Sequence, residues 1–330
     1  MGIRIRRREL IGALVGTAMW PLAVRAQPGK FARVGILWHA GSSQEEQPYY
    51  STLLEAFRRL GYVEGRNVAF EHRFPNETPE LFRRLAAELV AMNVDVIVAS
   101  GNVATPYAKK ATTTIPIVFM FVADPIGLKL VDSFAKPGGN ATGTSNYSSE
   151  VIGRGLQILK ETIPGLLRVA QLVNPNAPTA PMHVELTRSA AAELGLAVQI
   201  FEAQSLADLG PTFDAIARAG MQAVTVNPEG LAFQGRAIIP KLALARGIAL
   251  SAYSRETFEP GALMSYGADS LASIRSAVVY ADKILKGAQP SELPVEGPTR
   301  FEFLINLKTA KALGIEVPPV MLGRADEVIE

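Results

Sequence analysis

The chain has 330 residues, 48% of them hydrophobic, and a formal net charge of +2. Residues 1–26 hold five arginines and one glutamate, so the remainder carries 28 basic against 30 acidic side chains and gives no electrostatic case for nucleic acid or anionic lipid. No cysteine is present, which excludes disulfides, thiolate metal sites, a cysteine nucleophile and a lipid-modified cysteine at an export cleavage site.

In chain order, the first segment is an address. Arg4, Arg6, Arg7 and Arg8 precede the apolar run Leu10–Ala23, which is too short to span a bilayer comfortably. Val24-Arg25-Ala26 fits a cleavage signal, with Gln27 as the new N-terminus. The run Arg6–Ile11 resembles a twin-arginine export signal, and an uncleaved membrane anchor is the alternative. The expectation is a soluble periplasmic protein that has lost Trp20 with its signal.

Strand-like and helical runs then alternate. Strands are predicted at Arg33–Trp38, Asn67–Phe74, Asp95–Ala99 and Ile117–Val122. Helices are predicted at Tyr49–Leu60, ended by Gly61, at Pro79–Met92 and at Ala104–Thr112. This alternation implies parallel strands with right-handed crossovers. The glycine-rich Pro137–Gly143 lacks a phosphate-loop lysine and is assigned to a turn that leads into an interlobe crossing.

The order returns about 130 residues later. Arg168–Leu172 echoes Arg33–Leu37, Leu194-Gly195 echoes Leu60-Gly61, Ala223–Val226 echoes Asp95–Val98, and Gly247–Leu250 echoes Ile115–Val118. Two similar doubly wound α/β lobes are therefore expected, with a single doubly wound sheet as the alternative. A strand at Gly261–Tyr266, a helix at Ser270–Leu285, a strand at Phe301–Asn306 and a helix at Leu307–Leu313 follow. They are too few for a third domain and are expected to return to each lobe in turn. The organisation is then 27–144 plus 267–292 for the first lobe and 145–266 plus 293–330 for the second, joined by a multi-strand hinge that bends.

Ligands bind beyond the carboxyl ends of open parallel sheets, and between domains. Those ends carry Trp38, His39, Ser42 and Ser43 after the first strand, Gly101 and Asn102 after the third, and Asp124 after the fourth. Asn146 follows at the crossing. The second lobe offers Asn174, Asn176, Asn227 and Tyr253, and the last crossover Tyr266 and Asp269. These groups orient a small polar ligand by hydrogen bonds. Asp124 is also placed to pair with a ligand ammonium, and Trp38 to wall an apolar ligand group, although strand alternation equally allows Trp38 to point into the core. The three histidines, His39, His72 and His183, are scattered, and no zinc-protease, nucleophile-elbow or phosphate-loop motif occurs. No cofactor, metal site or catalytic residue is expected.

Several stretches resemble the tryptophan/tyrosine-type ABC transporter substrate-binding family. They are Gly61–Val68, Thr114–Phe119 with Asp124-Pro125, Pro137–Asn140 with Thr142-Gly143, Leu293–Val295, Asn306–Lys311 and Arg324–Ile329. The resemblance implies the two-lobed fold of type I periplasmic binding proteins and partnership with an ABC permease and ATPase in the inner membrane. Some relatives take aromatic amino acids, so the expected solute is small and polar or aromatic, bound by a monomer. A sensor subunit for a membrane receptor, or an exported enzyme on the same scaffold, is the alternative.

Overall fold

A computed structural model describes residues Phe31–Glu330. The expected export segment lies outside the described residues. The first sheet is built from β1 (Ala32–Leu37), α1 (Tyr49–Arg59), β2 (Val68–Arg73), α2 (Pro79–Ala91), β3 (Val96–Ser100), α3 (Gly101–Ala111), β4 (Ile117–Val122) and β5 (Ala141–Ser145). Its strand order is β2-β1-β3-β4-β5, all parallel.

The chain then builds α4 (Ser148–Thr162), β6 (Arg168–Val173), α5 (Ala180–Glu193), β7 (Ala197–Glu202), α6 (Leu209–Arg218), β8 (Ala223–Val226), α7 (Gly230–Gln234), α8 (Ile239–Leu244), β9 (Ala249–Ala252), α9 (Arg255–Phe258) and β10 (Met264–Ala268). After α10 (Ser270–Leu285) come β11 (Phe301–Asn306), α11 (Leu307–Ala312), α12 (Pro319–Leu322) and β12 (Glu327–Ile329). The second sheet runs β7-β6-β8-β9-β10 and continues into β11 and β12. Its first five strands repeat the winding of the first sheet, and β11 turns antiparallel to β10. The echoing stretches fall on β1 and β6, on β3 and β8, and on β4 and β9.

Strand alternation sorts the core. Val34, Ile36 and Trp38 share a face with Val96, Val98, Val118 and Met120, packed on α1 and α10. Leu37, Ile97, Ala99, Ile117 and Phe119 face the other way, onto α2 and α3. Both faces are covered, so these strands are near-continuous apolar runs rather than alternating ones. The second sheet is likewise sandwiched, by α6 to α9 on one face and by α4, α5, α11 and α12 on the other. Local signals agree with these placements. Pro79 opens α2 with Phe82, Ala86 and Leu89 buried along one face, and Gly61 takes a left-handed φ of 90° just past α1.

Three strands depart from the sequence expectation, among them the short edge strand β12, for which no strand was expected. Pro137–Gly143, assigned to a turn, runs into β5, whose Ala-Thr-Gly-Thr-Ser has none of the bulk that marks a buried strand. All five residues are nevertheless buried, and a Cβ on Gly143 would stand 2.0 Å from the Phe119 carbonyl oxygen. The strand is small because β4 lies so close. β7 is an edge strand with only Phe201 buried, so its apolar signal is weak.

Three segments pass between the two sheets. Asn146-Tyr147 links β5 to α4, and Asp269 links β10 to α10, which packs on the first sheet. Val295 and Glu296 then bond to Phe134 and Gly143 before the chain crosses again to β11. Tyr147 is left-handed (φ 47°), and its ring lies so close to Gly297 that a Cβ there would be 2.3 Å away. The first and third crossings thus pack on each other. Among the described residues no helix is long and apolar enough to cross a membrane.

Candidate functional site: a cleft between two sheets

The carboxyl ends of both sheets face one cleft of about 790 Å³, counted to its solvent-open mouth. The first sheet supplies His39 after β1, Glu77 after β2, Ser100 and Asn102 around the β3–α3 junction, Phe121 in β4 and Asn146 after β5. The second supplies Thr179 after β6, Glu229 and Gly230 after β8 and Tyr253 after β9, while Ser270 and Ser273 open α10. Such convergence at topological switch points is what doubly wound sheets offer a ligand.

One side of the cleft is aromatic. The Tyr49 ring lies 5.3 Å from Phe121 and 4.9 Å from Phe233, and His39 meets Phe233 edge-on at 5.0 Å. The remaining lining mixes hydroxyls and amides with the carboxyl groups of Glu77 and Glu229 and with small apolar residues such as Val103 and Val151. Ser100 and Thr179 are buried and their hydroxyls lack a hydrogen-bond partner within the protein. Asn102 is fixed by accepting the Ala123 N–H at 2.7 Å.

His39 is held between two carboxylates. Its Nδ1 stands 3.1 Å from Glu77, and Nε2 3.6 Å from Glu46. Burial disfavours the imidazolium, but the charge of Glu46, with Glu77 adding its contact and charge, outweighs it and lifts the pKa to about 9. Glu46 also accepts the backbone N–H groups of His39 (2.9 Å) and Ala40 (2.8 Å). Glu77 sits at φ 51° after Asn76 at φ 50°, two successive non-glycine residues in a costly backbone region. Opposite them, burial pushes Glu229 up to about 8, against the Asn174 backbone N–H and with the charge of Glu77 adding. At neutral pH Glu229 is mostly a neutral acid.

The two lobes touch across this cleft. Phe233, from α7, is buried within the first sheet's core cluster. Arg236 donates to the carbonyls of Glu45 (2.8 Å) and Gln47 (3.4 Å), and Tyr49 donates to Glu256 at 3.4 Å. A Cβ on Gly230 would stand 2.0 Å from the Glu77 carboxylate, so a larger residue there would push that side chain aside. These contacts define a closed arrangement.

Of the residues singled out from sequence, His39, Gly101, Asn102, Asn146 and Tyr253 line the cleft. The others do not. Trp38 is fully buried because alternation turns it toward α1, where it stacks on His72 and Phe74 and donates to His72 Nδ1 at 3.1 Å. His72 accepts because burial, with Arg73 adding, lowers its pKa to about 4 and keeps it neutral. Asp124 accepts the Gly127 N–H at 2.8 Å and is a turn carboxylate, not a cleft anion. Ser42 and Ser43 serve the β1–α1 turn, Ser42 accepting from Glu45 and Ser43 bonding Gln44. Asn174 accepts from the Asn176 N–H, and Asn176 is exposed beside Gln204. Asn227 follows β8, is buried and does not line the cleft. Tyr266 stacks on Phe301, and Asp269 caps α10 through the Ala272 N–H. Sequence reasoning did not single out Tyr49, Phe121, Phe233, Thr179 or Ser270, all of which line the cleft. Glu77 carries no local signal, whereas Thr179 sits in the loop after β6 and was within reach of the strand-end rule.

Two α/β lobes wound alike, crossing three times and closing on a shared cleft, define a protein of the periplasmic binding protein-like fold. The family model for ABC transporter substrate binding proteins matches residues 42–329. The chain belongs to that family. It is 26% identical over 270 residues to a tyrosine-binding protein of Clostridioides difficile (strain R20291), covering 80% of this chain and 75% of that one. A conserved domain protein from Vibrio cholerae is 27% identical with a TM-score of 0.85, over 91% of this chain and 100% of the other. An ABC domain from Streptococcus pneumoniae, solved in complex with L-Trp, gives 0.84 at 23% identity, over 90% and 99%. The protein is thus a solute-binding protein of ABC transport.

Proposed function

We propose that the cleft takes an aromatic amino acid, or a solute of that shape, and delivers it to an ABC permease and ATPase. The observation that carries this reading is the cleft's division into two chemistries. Tyr49, Phe121 and Phe233 form an aromatic cluster, and the buried, unpartnered hydroxyls of Ser100 and Thr179 offer hydrogen bonds in the same cleft. A ring buries well against the first, a polar head against the second. The relatives with bound or named tyrosine and tryptophan support the same class.

No chemical step is assigned to the cleft. His39 is the imidazole in it, and both its nitrogens face carboxylates that keep it charged at neutral pH, which removes it as a general base. Export with cleavage after Ala26, a periplasmic location and a monomeric state complete the proposal.

Titration calorimetry with L-tyrosine and L-tryptophan tests it. Saturable binding is expected, with a rise in thermal midpoint equivalent to about 2.7 kcal/mol at a hundred times the dissociation constant. Absence of binding to any aromatic amino acid, alongside binding of a sugar, overturns the assignment.

A further inference from the structure

We propose that Arg236 sets solute affinity without touching solute, by clasping the lobes shut. Phe233 lines the cleft and Arg236 does not. Arg236 stands at the back of that wall. Its guanidinium lies 4.1 Å over the Phe233 ring, and Nη1 donates to the Phe233 carbonyl at 2.7 Å. Its other nitrogen reaches across to the first lobe, to the carbonyls of Glu45 and Gln47. One side chain therefore holds α7 rigid, stacks on its aromatic residue and ties it to the loop that begins α1.

The interlobe part of this arrangement exists only while the lobes are closed. A contact present in one state alone shifts the equilibrium by its own free energy, whatever fills the cleft. The apparent dissociation constant scales inversely with the closed fraction. Arg236 is suited to this because its charge-assisted bonds go to backbone carbonyls, which do not titrate and do not depend on the identity of the solute. The clasp also explains why a buried phenylalanine of the second lobe sits in the core cluster of the first. This inference rests on closure about a solute as proposed above, and it assigns a residue outside the solute's reach to the control of affinity.

The chain has no native cysteine, so Arg83→Cys on α2 and Arg188→Cys on α5, both exposed, give the sole thiols for nitroxide labels. Electron–electron distance measurements without solute are expected to show a closed component that falls at least threefold in R236A and partly returns in R236K. Stopped-flow kinetics with L-tyrosine as probe are expected to show dissociation about tenfold faster in R236A, the loss of a charge-assisted bond discounted for partial exposure, with association within twofold. R236K keeps the cation and serves as the second variant should R236A melt early. Coincident distance distributions in R236A and the parent overturn the clasp, as does a loss confined to association. If neither L-tyrosine nor L-tryptophan binds the parent, the solute assignment fails and the distances alone decide the clasp.

Discussion

The two lobes wind their sheets alike and furnish the cleft differently. Three of the first lobe's polar side chains are tied to their own lobe: His39 to Glu46 and Glu77, Glu46 to two backbone N–H groups, Asn102 to Ala123. The second lobe's Phe233, Arg236, Glu256 and Gly230 find their partners across the cleft. The same fold thus supplies a wall that is part of its own stability and a wall that is part of closure. Substitutions on the two sides are expected to fail in different measurements.

The largest effect falls on the first wall. His39→Gln removes the cation between two carboxylates, one of them fully buried. Breaking a buried pair in this way costs roughly 3 kcal/mol, to be read as a lower denaturation midpoint without solute. An unchanged midpoint would erase the distinction between the walls. On the second wall, Phe233→Ala removes a ring buried against the core cluster of the other lobe. Solute affinity is expected to fall about thirtyfold, some 2 kcal/mol, while the solute-free midpoint moves little. Calorimetry beside a denaturant melt separates the two.

Titration sharpens the contrast. His72 and His183 are both lowered to about 4, mainly by burial, so the folded state binds fewer protons than the unfolded chain between about 4 and 6.5 and stability rises with pH there. His39, raised to about 9, has its full effect below 6.5 and loses it as pH climbs through 9. Glu229, raised from 4.5 to about 8, adds to that loss from the second lobe as it ionises. Stability is expected to peak near pH 6.5, and Glu229→Gln to flatten the fall between pH 6.5 and 8. Melts across pH 4–10 check both signs. The smallest effect belongs to Asp124→Asn, which keeps an acceptor for the Gly127 N–H. Affinity within twofold, below about 0.5 kcal/mol, is expected.

The lobes were legible in the sequence because both sheets bury both faces, which makes most strands apolar runs at a repeating interval. β5 and β7 escaped for opposite reasons: one is buried but stripped to small residues by its neighbour, the other stands at an edge. The strand-end rule named His39, Gly101, Asn102, Asn146 and Tyr253, which line the cleft, since a parallel sheet fixes where its loops emerge. It misplaced Trp38, whose direction depends on a strand parity that the end of a run leaves open. It misplaced Asp124, whose carboxylate answers a turn's own backbone. Phe233 lay beyond reach because its partners, Tyr49 and His39, are almost two hundred residues away and meet it only through closure.

The late position of α10 has a consequence for how the protein comes into being. Ile274, Ala277, Val278, Ala281 and Ile284 complete the first sheet's core, yet they are translated after the whole succession from α4 to β10. A nascent chain that ends before Leu285 leaves one face of that sheet open to water. The first lobe's core therefore waits until nearly nine-tenths of the chain has been made, and the second lobe waits longer still, for the β11, α11 and α12 residues that complete its own core.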